Sequence, residues 1–239
     1  MTIISLWHCK PEKPFDEDTG TLSIQFFPKY GNLTFQPLQS YTYGNKQSIK
    51  WSALDFYITG IQLLSSGGNV AIDQVGLVDL ASSDVSTKRL DLINVKAGNY
   101  SGIRFQLGVK SDLNKKLPKD FKSTNPLSST GHHWDAWDSY IFARMEGVLD
   151  TAGKGVFELP FAIHTGTDAC IQTVEIQKIF DIPVTSEYIL PVEIDLQNVY
   201  SQSGVYFDIA NSPLNHNPSN IEVLKLFSSR LAQAIQLKK

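Results

Sequence analysis

Five histidines carry the clearest chemistry in this chain: His8, His132, His133, His164 and His216. Imidazole is the commonest neutral ligand for copper, zinc and nickel, and such sites are gathered from loops and strand ends. Two of the five sit in Gly131-His-His-Trp-Asp-Ala-Trp-Asp-Ser-Tyr140, beside Trp134 and Trp137. Disordered segments are poor in aromatic residues, so this one is expected to be ordered. Neighbours on an extended chain point to opposite sides, so one of His132 and His133 faces any given site. His164 closes the run Phe157-Glu-Leu-Pro-Phe-Ala-Ile-His-Thr-Gly166 with the parity of Ala162, opposite to Phe161 and Ile163. It is therefore expected off the core face.

Other chemistries have weaker footing. Asp135, Asp138 and Glu146 could form an acid/base set of the kind glycoside hydrolases need, although carboxylates beside aromatics are commonly solvated loop residues. Nucleophile-elbow, phosphate-loop, zinc-protease and dinucleotide fingerprints are all absent, so the chain reads as a non-enzyme. The two cysteines, Cys9 and Cys170, make neither a disulfide framework nor a C-x-x-C pair. Cys9 follows a short apolar stretch and precedes Lys10-Pro-Glu-Lys-Pro14, a charged tether. It is a candidate lipid anchor, with an incidental cysteine in a tail as the alternative.

These side chains need a scaffold, and the dominant period from residue 21 onward is two. Leu22, Ile24 and Phe26 alternate with Ser23 and Gln25. Further strands are expected near 54–64, 75–80, 88–93, 101–109, 140–148, 171–180 and 188–197, each bounded by Gly, Pro, Asn or Ser clusters. The fold expected is all-β, an antiparallel β-sandwich with one C-terminal amphipathic helix. Ser219 and Glu222 read as a capping box for a helix over 219–237, with Ile221, Leu224, Phe227, Leu231 and Ile235 on one face. Residues 1–20 read as the tether and 21–239 as a single domain. In 239 residues, 24 acids against 21 bases leave a formal charge of -3. That balance gives no basic surface for nucleic acid. No apolar run reaches the roughly 20 residues that span a bilayer.

The ordered blocks resemble those of MbnP-like proteins, a family of bacterial copper-binding periplasmic proteins and lipoproteins. They are Leu22-Ser-Ile-Gln-Phe26, Leu54-Asp-Phe-Tyr-Ile-Thr-Gly-Ile-Gln-Leu63, Leu77-Val-Asp-Leu80, Ala97 to Val109, Gly131 to Gly147, and Phe161-Ala-Ile-His-Thr-Gly166. The chain departs from the family in two places. It has Trp-Asp-Ala-Trp where Trp-x-Trp is usual, and Phe27-Pro-Lys29 where many relatives have a histidine.

The resemblance implies an envelope protein, periplasmic or on the cell surface, that captures, stores or delivers copper. It implies a site built from His164, one of His132 and His133, and His216, with Trp134 or Trp137 beside it. In some relatives a di-haem peroxidase-like partner oxidises such a tryptophan to kynurenine. With Met1 and Met145 the only methionines, a thioether-rich copper site is excluded. One or two imidazoles in an aromatic-walled pocket suit Cu(I) better than Zn(II). A ligand-binding or adhesion module that kept the fold without the metal is the rival reading.

Overall fold

A computed structural model describes residues 18–44, 46–202 and 205–239. His8, Cys9 and nearly all of the expected tether lie outside the described residues. The alternating segments form ten principal strands: β1 (Thr19–Tyr30), β2 (Gln47–Leu64), β3 (Gly76–Asp79), β4 (Arg89–Lys96), β5 (Gly98–Leu107), β6 (Ser139–Asp150), β7 (Leu159–Gly166), β8 (Gln172–Ile182), β9 (Glu187–Asp195) and β10 (Ile235–Leu237). One sheet runs β10-β9-β1-β4. The second runs β8-β5-β2-β6-β7, ends on the short strand Leu214–Asn215, and carries β3 against β2.

The sandwich follows from the alternation. Leu22 and Ile24 have no exposed surface and Phe26 has 1%. Phe26 meets Phe56 of the facing sheet edge-on, with ring centroids 5.8 Å apart. Each such side chain stabilises the fold by about 1.5–3 kcal/mol. A polar seam threads this core without leaving a group unpaired. The Trp51 indole donates to the Tyr200 hydroxyl at 2.9 Å, and that hydroxyl donates to Met145 Sδ at 3.1 Å. Met145 is fully buried, so its thioether belongs to the core.

The all-β sandwich with a C-terminal helix is what the chain forms, and its sheets are mixed. β1 pairs with β9 in parallel, from Thr21 against Glu187 to Lys29 against Asp195. A parallel pair needs a crossover, and every principal strand of the second sheet, β2, β3 and β5 to β8, lies between these two strands in the chain.

Among the described residues three α-helices form: α1 (Ser111–Asn114), α2 (Leu196–Tyr200) and α3 (Ile221–Ala234). The capping box expected at Ser219 does not form. Asn217 caps instead, its side chain accepting from the Ser219 amide at 2.9 Å and opening a 3-10 turn over Pro218–Asn220. Asparagine is as strong a cap as serine, and Pro218 suits the first position of such a turn. Leu224, Phe227 and Leu231 are buried, as the stripe requires. The helix stops at Ala234 because Ile235–Leu237 pairs with β9 as a strand. No helix among the described residues is long and apolar enough to cross a membrane.

Candidate metal centre

The second sheet offers its outer face to a row of polar side chains. Asp79, Asp55, Arg144 and His164 lie directly opposite one another on β3, β2, β6 and β7. Glu146 follows Arg144 by two positions on β6 and so shares its face. Beyond β7, Leu214–Asn215 pairs in parallel with Ala162–Ile163, which brings the next residue, His216, level with His164. The loop ending at His216 is braced by Asn215. That fully buried amide donates to the Ser212 carbonyl at 2.5 Å and accepts from the Ser212 hydroxyl at 3.1 Å.

The aromatic loop covers this row. Asp135–Trp137 is one 3-10 turn, ended by Asp138 in the left-handed region at φ 49°. Such a turn has three residues per revolution, so side chains at i and i+3 eclipse. Trp134 and Trp137 accordingly stack, with centroids 5.4 Å apart and planes 5° from parallel. The four-residue Trp-Asp-Ala-Trp spacing thus has a geometric use. Trp134 then lies over both imidazoles, 5.3 Å from His216 and 5.9 Å from His164 by ring centroid.

Trp137 rests on Gly166 at the end of β7, where a Cβ would come within 2.5 Å of the indole ring. Gly166→Ala is therefore expected to dislodge the Trp pair while leaving the sandwich folded. Near-UV circular dichroism should lose its tryptophan bands with far-UV signal unchanged. Intact tryptophan bands would show that Trp137 does not need this gap.

His164 and His216 are the two histidines the fold brings together, with centroids 6.2 Å apart. His164 Nε2 lies 2.8 Å from Glu146 Oε1. Its Nδ1 is buried with no hydrogen-bond partner. Burial lowers the pKa of this imidazole, more than the bond and charge of Glu146 raise it. A neutral ring that donates Nε2–H to Glu146 would keep a bare lone pair on Nδ1.

His132 and His133 point apart, as their adjacency predicts. His132 Nε2 is 2.9 Å from Asp55 Oδ1, and its ring meets Tyr57 edge-on at 5.6 Å. His133 Nδ1 is 3.1 Å from Asp135 Oδ1, and its ring meets Tyr140 at 5.0 Å. Both anchor the loop in this arrangement. The acid/base set is dispersed: Asp135 is engaged with His133, Glu146 with His164, and Asp138 is an exposed turn residue. The second cysteine, Cys170, is buried, which raises its thiol pKa.

Asp55 and Arg144 were not legible as site residues. Asp55 Oδ2 accepts from Arg144 Nε at 2.9 Å and Nη2 at 2.5 Å, while Oδ1 faces His132. A single carboxylate thus clamps the strand bearing Glu146 to the loop bearing Trp134. The signal available was a lone acid inside the apolar run 54–64, since a charge so placed needs partners.

Among the described residues, no three His, Cys, Asp or Glu side chains converge on one point. The donor set does fit a soft, low-coordinate ion. Two imidazoles with a centroid separation of 6.2 Å can share a metal at about 2.0 Å per bond, and the orphaned Nδ1 lacks only a Lewis acid.

Comparison with solved structures finds MbnP from Methylosinus trichosporium at a TM-score of 0.53, with 14% identity over 78% of this chain and 80% of that one. At that identity the likeness speaks to the fold. Comparison with curated proteins returns no match. The family model for MbnP matches residues 19–221, from the first strand to the start of α3. Its span takes in every principal strand but β10, the stacked indoles and both facing imidazoles, and the chain belongs to the MbnP family.

Proposed function

We propose that this protein binds a single copper ion, as Cu(I), between His164 and His216 under Trp134, and serves copper capture, storage or delivery in the bacterial envelope without catalysing a reaction. The observation that carries the reading is the buried, unpartnered Nδ1 of His164 beside a second imidazole. An unsatisfied buried polar atom calls for an explanation, and a role as an ion ligand is one of the standard ones. The MbnP family is associated with copper, which supports the choice of ion.

The chain's own residues do the rest. His164 and His216 supply two neutral donors. Of the stacked indoles Trp134 packs against both imidazoles, and Met145, held in the core by Tyr200, takes no part. The Cys9 anchor and a di-haem peroxidase-like partner acting on Trp134 or Trp137 belong to the same proposal.

Titration with Cu(I) against a chromophoric chelator tests it. The wild type should take up about one equivalent. His164→Ala and His216→Ala should each abolish stoichiometric uptake, and His133→Ala should retain it. A wild-type protein that takes up no copper at micromolar free metal, or a His164→Ala variant that binds as well, overturns the reading in favour of a surface module without metal.

A further inference from the structure

From the geometry around His164, we propose that Glu146 is the positioning residue of the copper site: by accepting the Nε2–H of His164 it fixes the tautomer and ring orientation that make Nδ1, and not the more commonly used Nε2, the metal-binding atom. This rests on the copper reading and extends it to a residue that makes no contact with the ion.

Three features of the fold support it. Glu146 and His164 sit on adjacent strands, Glu146 opposite Ala162 and His164 opposite Arg144, so the carboxylate reaches the imidazole diagonally across the ladder at 2.8 Å. Arg144, the cation nearest in sequence, is held by Asp55 through Nε and Nη2. Asp55 thereby keeps the guanidinium from claiming Glu146. The imidazole side chain is 13% exposed and its Nδ1 has no protein partner, so a proton on Nδ1 would be buried without an acceptor. A buried donor without an acceptor is unfavourable, which favours the Nε2–H form. A carboxylate on the far nitrogen also makes the ligating one more basic, and losing such a partner lowers metal affinity about 10–100-fold.

The test begins on the metal-free protein. Long-range proton–nitrogen correlation of 15N-labelled wild type, at a pH above the ordinary imidazole range, should place the His164 proton on Nε2 and show a bare Nδ1. Glu146→Gln retains an acceptor oxygen and should preserve this pattern. Glu146→Leu removes the acceptor and should bring rapid exchange of that proton or its appearance on Nδ1. Ag(I), a redox-inert stand-in for Cu(I), should shift the Nδ1 resonance in the wild type. Its affinity should fall tenfold or more in Glu146→Leu and by less in Glu146→Gln.

A wild-type His164 with its proton on Nδ1, or a Glu146→Leu variant that binds Ag(I) as tightly as wild type, overturns the role of Glu146 while leaving copper binding intact. Absence of Ag(I) and Cu(I) uptake by a wild type that carries Nε2–H overturns the copper reading, and the ligand role falls with it.

Discussion

Asp55→Ala is expected to lower the stability of the protein by about 2–3 kcal/mol, because one truncation strips the partner from two groups at once. The Asp55 side chain is 3% exposed and divides its oxygens between the Arg144 guanidinium and His132. Arg144 is itself a third exposed, so water recovers part of the loss, which keeps the estimate at the low end for a broken buried pair. For a chain of this size that corresponds to a fall in Tm of roughly 5–10 °C. Asp55→Asn should cost less, since an amide oxygen still accepts one of the bonds. The variant should also weaken copper uptake, because the freed loop no longer holds Trp134 against His164 and His216. Thermal denaturation together with the Cu(I) titration checks both parts. A Tm within a degree of wild type would mean that the carboxylate does not clamp strand to loop.

Gly147→Ala is expected to be at least as damaging, by about 3 kcal/mol or more, and for a steric reason. A Cβ at this position would come within 1.9 Å of the Lys50 carbonyl oxygen and 2.8 Å of the Phe161 ring. The first contact is with backbone, which cannot swing aside. The pairing of β6 with β2 is irregular at this point: Glu146 faces Ala53 and Gly147 faces Trp51, so Ser52 is passed over. That bulge lets the two strands close up around the glycine. Forcing them apart would move Glu146 and Arg144 relative to His164. Chemical denaturation should show a lowered midpoint, and a wild-type midpoint would show that β6 has room to spare.

What could be read in advance followed from local periodicity. The inward set of β1 and the outward parity of His164 were visible because alternation is a property of a few consecutive residues. The aromatic mass of residues 131–140 likewise announced an ordered loop. Contacts set by distant pairing were not legible. His216 reaches His164 through a two-residue strand, too short to leave a pattern, so local sequence could not show that these two imidazoles lie side by side. Asp55 was hidden within an apolar run, since its partners come from β6 and the loop. The end of α3 falls short of residue 237 for the same reason: Ile235 keeps the helical stripe in sequence, yet β9 offers it an open edge.

The parallel pairing of β1 with β9 has a consequence for how the chain acquires its structure. During synthesis the first strand is complete long before its partner exists, and at about 5–20 residues per second Thr21 waits on the order of ten seconds or more for Glu187. Throughout that interval the backbone edge of β1 that faces β9 stays unpaired, the kind of edge on which nascent chains associate wrongly. Such high contact order places folding in the slow, millisecond-to-second regime even after release. A strand whose partner lies this far along the chain keeps that edge open until residue 195 has emerged, an interval that a meander, pairing each strand with the next, does not have.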